Sequence, residues 1–227
     1  MNMTPDEKGP RDARWYLSLM SPNTKGDQFA WFDPTSLYIN AAAFEDLTDD
    51  LMTDLEGLEF DVVGGLDAMG FVLGAAIAAR RKVGFLPIRK AGKLCVDTDK
   101  VSFTNYSKRT QDMELRLPAF APGDRILLVD QWVETGGTMD GAIRLVERQG
   151  GVVAGLASIG IEENEVTLGY RAKFPCITAI LPAAPGRQRR MPNGFPALTA
   201  MIQQKPFQTR IGEQRFLFFF LAVFETN

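Results

Sequence analysis

Histidine is missing altogether from this 227-residue chain. That absence removes imidazole general bases, Ser-His-Asp triads and histidine-ligated metals from the available chemistry. Cysteine is scarce. Cys95 and Cys176 are the only two, with no metal-type spacing and too few for a disulfide framework, so a reducing compartment and a cytoplasmic location are expected. No apolar run approaches the roughly 20 residues of a membrane-spanning helix; the longest, Phe216 to Phe224, has nine. The stretch from Met1 to Arg14 has no apolar signal-peptide core. Basic excess is also lacking. At a net charge of −3, neither nucleic acid nor a membrane is an expected partner. No internal repeat or helix-turn-helix pattern is visible.

What is present is an ordinary globular composition, 45% hydrophobic and 23% charged, long enough for one good-sized core and one domain overall. Residues 1–57 read as an N-terminal arm with a short helix at Ala13–Leu19, a turn at Asp33-Pro34 and a helix from Ala41 to Leu55. Residues 58–181 alternate strand and helix. Strands are predicted at Phe60–Val63, closed by Gly64-Gly65, and at Val83–Ile88, Ile126–Val129, Val152–Ile159 and Cys176–Leu181. Helices are predicted at 68–81, Met139–Arg148 and Glu162–Ala172. Val101–Tyr106 and Met113–Leu117 read as a hairpin or flap. This pattern predicts an α/β fold, a parallel sheet flanked by helices. Residues 182–227 read as a Pro/Arg-rich linker and an apolar C-terminal element packed on the core.

The chain is organised around Arg125-Ile-Leu-Leu-Val-Asp-Gln-Trp-Val-Glu-Thr-Gly-Gly-Thr138. A buried strand ends in an acid and runs through Thr135, Gly136, Gly137 and Thr138 into a helix. Free N–H groups at a helix start, with glycines that admit a close approach, make an anion site. Asp130 stands where sugar hydroxyls could donate to it. A sugar phosphate is the ligand this suggests.

This stretch resembles the 5-phosphoribosyl-1-pyrophosphate motif of type I phosphoribosyltransferases. Gly65-Leu-Asp-Ala-Met-Gly-Phe-Val-Leu-Gly74 and Gly84-Phe-Leu-Pro-Ile-Arg-Lys-Ala-Gly-Lys-Leu94 resemble the pyrophosphate loop and basic loop of adenine phosphoribosyltransferases. Trp31-Phe-Asp-Pro-Thr-Ser-Leu37 resembles their base-covering hood. The resemblance spans roughly residues 30–160 and gives residues 182–227 no counterpart. It implies transfer of a phosphoribosyl group from phosphoribosyl pyrophosphate to a purine or purine-like nitrogenous base, with release of pyrophosphate. Mg2+ would accompany the diphosphate, reaching Asp130 only indirectly through the bound sugar diphosphate, and the protein would be a homodimer. Thr135 to Thr138 would hold the 5-phosphate, with Asp130 and Gln131 at the ribose and Asp67 and Ala68 in the pyrophosphate loop. Arg89, Lys90 and Lys93 would line the basic loop, Tyr106 would ride the flap, and Phe32 would face the base.

Four family charges are replaced by neutral residues: Gln131 for an acid, Met69 for Arg, Asn105 for Glu and Phe32 for Arg. A charge-assisted hydrogen bond contributes about 1.5–3 kcal/mol, so two such losses amount to several kcal/mol of binding or rate. Glu134 runs the other way. It places a carboxylate where 6-oxopurine enzymes of the superfamily have one for the purine N7, able to exchange the ring proton. Lys108 and Arg109 could replace the missing cation from the flap. Two alternatives stand beside the enzyme: a non-catalytic regulator that binds phosphoribosyl pyrophosphate or a nucleotide, and an enzyme for an unusual base.

Overall fold

The computed structural model describes residues 13–22, 32–104 and 110–180. Tyr106, Asn105, Lys108 and Arg109 lie outside the described residues. So do the Pro/Arg-rich and apolar segments of 182–227. Two compact units divide the chain, one of residues 45–179 and one of the remainder.

In the smaller unit, α1 (Ala13–Leu19) leads to β1 (Ser21–Pro22), which pairs antiparallel with β2 (Phe32–Asp33), setting Pro22 opposite Phe32. The Asp33-Pro34 turn forms as its composition predicts, with Asp33 Oδ1 accepting the Thr35 N–H at 3.0 Å. It opens α2 (Thr35–Ile39), whose Ser36 hydroxyl donates to the Leu19 carbonyl. Asn40 then caps α3 (Ala41–Asp54), its Oδ1 accepting the Ala42 and Ala43 N–H groups at 3.1 and 3.2 Å; from residue 45 on, this helix belongs to the larger unit.

The larger unit holds β3 (Val62–Leu66), α4 (Gly70–Arg81), β4 (Gly84–Lys90), β5 (Thr98–Thr104), β6 (Thr110–Arg116) and β7 (Arg125–Val129). It continues through β8 (Trp132–Val133), α5 (Gly137–Arg148), β9 (Val152–Ser158), β10 (Gly160–Ile161), α6 (Glu165–Lys173) and β11 (Cys176–Thr178). A seven-stranded sheet has the order β11-β9-β7-β3-β4-β6-β5. The strands from β11 to β4 run parallel, and the β5–β6 hairpin continues the sheet antiparallel to β4. Strand β7 lies inside the sheet between β9 and β3, and Ile126, Leu127, Leu128 and Val129 are fully buried, as an unbroken apolar run between covered faces requires.

Two glycines behave differently from expectation. Gly64-Gly65 does not close β3 but lies within it, and the strand runs on to Leu66. Packing is the reason. A Cβ on Gly65 would stand 2.7 Å from the Phe85 ring, and one on Gly64 would stand 3.1 Å from Leu128. Their smallness admits neighbouring side chains rather than a turn.

The crossovers position the site. From β3 the chain passes through α4 to β4 on one side; from β7 it passes through α5 to β9 on the other. Right-handed connections therefore place α4 and α5 on opposite faces, and the carboxyl ends of β3 and β7 form the switch point where such sheets bind ligands. The start of α4 almost touches the end of β7: a Cβ on Gly70 would meet the Val129 carbonyl oxygen at 2.4 Å. The β5–β6 hairpin leans on α5. Arg144 Nη2 donates to the Ser102 carbonyl at 2.8 Å, and Arg148 Nε reaches Asp99 at 2.8 Å.

Candidate active site

A cavity of about 190 Å3 opens at this switch point. Asp67 enters it from the loop after β3, Arg89 and Lys90 from the end of β4, and Asp130 and Thr138 from either end of the loop between β7 and α5. These five expected residues are thus brought together. The cavity's apolar walls are Leu66, Ile88, Phe103, Met113 and Trp132, and Gln111 adds an amide.

The remaining expected residues among those described do not line it. Ala68, joined to Asp67 by a cis peptide, and Lys93 are exposed and do not line the cavity. Gln131 is half-buried just past β7, and its N–H donates to Asp130 Oδ1 at 2.7 Å. Glu134 is half-buried, and its carbonyl accepts Asn164 Nδ2 at 2.7 Å. Thr135 is exposed and Gly136 is buried, with φ +86°, a left-handed conformation that favours glycine. Gly137 opens α5, packed so closely on the hairpin that a Cβ would lie 1.9 Å from the Thr104 carbonyl oxygen. The backbone of Phe32 belongs to β2, in the smaller unit.

Charge is arranged unevenly across the cavity. Arg89 Nε approaches Asp67 Oδ2 at 3.4 Å and the Lys90 N–H approaches the same oxygen at 3.3 Å. Asp67 thereby ties the end of β4 to the loop after β3. Among the described residues no cation pairs with Asp130 in this way. Burial pushes its carboxyl up to about 7, opposed only by the Gln131 N–H. A carboxylate in that condition is poorly solvated and ready to take hydroxyl donors. At the other end, α5 makes its first backbone bond from the Asp140 N–H to the Gly136 carbonyl, 2.8 Å. The amides of Gly137, Thr138 and Met139 come before that bond and carry the positive end of the helix dipole.

Glu114, which no sequence motif marks, organises the basic loop. It sits on β6 opposite Arg89 and is 1% exposed. Its Oε1 accepts the Lys93 and Leu94 N–H groups at 2.7 and 2.8 Å, and its Oε2 the Thr98 hydroxyl at 3.3 Å. Lys100 Nζ stands 3.7 Å away. Burial works to raise its pKa, but the amides of Leu94, Gly92 and Lys93 and the Lys100 ammonium outweigh it and hold the carboxyl down at about 2. Stability from this charge is full above the free-chain value of 4.5 and lost as pH falls toward 2. Glu114→Gln is therefore expected to be less stable than the parent at pH 7, with the gap narrowing as pH drops to 3. Denaturant midpoints across that range measure it, and a gap independent of pH would contradict the assignment.

Phe103, Gln111 and Met113 carry no sequence motif either. Phe103 faces Gln111 across the hairpin and Val101 faces Met113. Their place at the cavity depends on that register and on docking against α5, neither of which is a local sequence signal.

No family model matches the chain. The adenine phosphoribosyltransferase of Rhizobium meliloti is 39% identical over 146 residues, covering 64% of this chain and 78% of that protein. That of Cereibacter sphaeroides is 41% identical over 128 residues, covering 56% and 71%. Among solved structures, adenine phosphoribosyltransferase from Thermoanaerobacter pseudethanolicus superposes with a TM-score of 0.67 at 28% identity, covering 74% of this chain and 98% of that one. The Saccharomyces cerevisiae enzyme, complexed with an iminoaltritol bisphosphate and adenine, gives a TM-score of 0.64 at 25% identity, covering 74% and 97%. The sheet, its switch point and the strand–loop–helix cradle are those of a type I phosphoribosyltransferase. Within that class, this chain belongs to the adenine phosphoribosyltransferase family.

Proposed function

We infer that the protein transfers the 5-phosphoribosyl group from phosphoribosyl pyrophosphate to adenine or a closely related purine, releasing pyrophosphate. The observation that carries this is the convergence of Asp130, Thr138, Arg89 and Lys90 on one cavity at the switch point, in a chain 39% identical to an adenine phosphoribosyltransferase. The C1–oxygen bond to the diphosphate breaks, and a ring nitrogen of the base forms the new bond to C1. Negative charge grows on the departing diphosphate and positive charge on the ribose. Arg89 and Lys90 face the diphosphate, with Lys93 on the same loop outside the cavity. Asp130 takes the ribose hydroxyls, with Gln131 beside it. Thr135 to Thr138 and the first amides of α5 hold the 5-phosphate. Asp67 and Ala68 shape the diphosphate loop.

Mg2+ fits as a companion of the diphosphate. Among the described residues no three His, Cys, Asp or Glu side chains cluster as a cage. Asp130 and Asp67 are the carboxylates at the cavity, which suits an ion held mainly through phosphate oxygens and water. Bound there, it would neutralise charge on the leaving group. Tyr106 as a flap residue, Phe32 at the base, a homodimeric assembly and a cytoplasmic location belong to the same reading.

Glu134 is assigned to the ring proton of the base. The test follows pyrophosphate release with phosphoribosyl pyrophosphate, Mg2+ and a panel of adenine, hypoxanthine, guanine and non-purine heterocycles. Release with adenine or another purine is expected. Glu134→Gln should then lower kcat/KM for the base at least tenfold while leaving the affinity for phosphoribosyl pyrophosphate unchanged. Equal turnover by Glu134→Gln would remove the residue from the mechanism. Tight binding of the sugar diphosphate with turnover on no base would leave the regulator.

A further inference from the structure

The loop between β7 and α5 is held from behind through its carbonyls. The Gln131 carbonyl accepts the Ile159 N–H at 3.0 Å and the Val133 carbonyl the Glu162 N–H at 2.9 Å. The Glu134 carbonyl accepts Asn164 Nδ2 at 2.7 Å, and the Gly136 carbonyl accepts the Tyr170 hydroxyl at 2.9 Å. All four donors come from the segment that leaves β9 and forms α6, and none lines the cavity. Two of them are side chains, and they hold carbonyls two residues apart in the loop.

The direction matters because a trans peptide sends its C=O and N–H to opposite sides. Fixing the Glu134 carbonyl toward α6 turns the Thr135 N–H away from α6. Fixing the Gly136 carbonyl does the same for the Gly137 N–H. The seat is tight as well: a Cβ on Gly136 would stand 2.8 Å from Val166 and 3.1 Å from the Tyr170 ring and hydroxyl. Asn164 is itself anchored, since its Oδ1 caps α6 by accepting the Val166 and Thr167 N–H groups at 3.0 and 3.1 Å. One amide thus starts a helix with its oxygen and orients the loop with its nitrogen.

We propose that Asn164 and Tyr170 are positioning residues for the 5-phosphate cradle, holding the Glu134 and Gly136 carbonyls against α6 so that the Thr135 and Gly137 amides face the phosphate. The proposal rests on the reading of this loop as the phosphate site. Two variants separate positioning from packing. Tyr170→Phe keeps the ring against Gly136 and removes only the donor. Asn164→Asp keeps the oxygen that caps α6 and replaces only the donating nitrogen.

The probes are ribose 5-phosphate and inorganic pyrophosphate with Mg2+, titrated calorimetrically into the full chain. Each variant should bind ribose 5-phosphate about 5- to 10-fold more weakly, on the scale of one net hydrogen bond. Pyrophosphate affinity should be unchanged, and KM for phosphoribosyl pyrophosphate should rise with kcat nearly constant. Parent affinity for ribose 5-phosphate in both variants would overturn the proposal, and so would equal losses for both probes. Thr138→Val, at the cavity itself, reports on the underlying reading. If the parent fails to bind ribose 5-phosphate, or Thr138→Val binds it unimpaired, the phosphate site is misassigned and the proposal falls with it.

Discussion

Replacing Asp130 with Asn is expected to abolish most activity while making the unliganded protein more stable at pH 8. Both effects come from one carboxyl. In the folded chain burial holds it at about 7, against 3.8 for the free group. Between those values the folded state keeps a proton that the unfolded state has released, so the parent loses stability as pH rises through that window. Asn carries no such cost. The variant should match the parent near pH 4 and exceed it by about 2–4 kcal/mol at pH 8. Activity moves the opposite way. Two charge-assisted hydrogen bonds to ribose hydroxyls, each about 1.5–3 kcal/mol, correspond to a loss of roughly 10²- to 10⁴-fold in kcat/KM. Denaturant titrations at the two pH values and pyrophosphate-release kinetics read the two halves separately. A variant no more stable at pH 8 than at pH 4, relative to the parent, would show that Asp130 is not held in the desolvated state described.

Gly70→Ala is the second large effect. Gly70 begins α4 against the end of β7, and a Cβ there would lie 2.4 Å from the Val129 carbonyl oxygen and 3.1 Å from the Asp130 Cα. Both neighbours are backbone, so no side chain can turn aside. The start of α4 must back away from β7, carrying the Asp67–Met69 loop from Asp130. Overpacking of this kind costs about 1–3 kcal/mol. A displacement of about 1 Å between groups that must act together lowers rate on the order of 100-fold. Gly84→Ala is the control, because a Cβ at Gly84 meets nothing within 4 Å. Thermal unfolding and activity of the two variants should diverge sharply; equal behaviour would mean that the close approach at Gly70 does not set the site.

Much of the site was legible because its signals are local. The run Ile126 to Val129 followed by Asp130 and Thr135-Gly136-Gly137-Thr138 encodes a buried strand, a loop and a helix start within thirteen consecutive residues, and the structure folds it that way. Arg89 and Lys90 were legible from a basic loop after a strand. Lys93 reads the same in sequence, but the hydrogen bond from its amide to Glu114 fixes only its backbone, and its side chain stays outside the cavity. Gly64-Gly65 misled because glycine marks both turns and close packing, and the sequence does not say which. Glu114 was hidden by its type: an acid in an alternating strand reads as solvated, whereas β6 lies between β4 and β5 with that side chain turned inward to loop amides. Asn164 and Tyr170 were hidden by distance, bonding the cradle from 30 and 34 residues away. Pairings of that range are products of the folded sheet, not of any local period.

The function proposed for this cavity is to join a phosphoribosyl group to a purine. Its most direct test is formation of nucleoside monophosphate from adenine, phosphoribosyl pyrophosphate and Mg2+, with product resolved from substrates and counted against pyrophosphate. Adenosine monophosphate and pyrophosphate are expected in equal amounts, dependent on all three components and lost in Asp130→Asn. Saturable binding of phosphoribosyl pyrophosphate with no nucleotide formed from adenine or any other purine would contradict it.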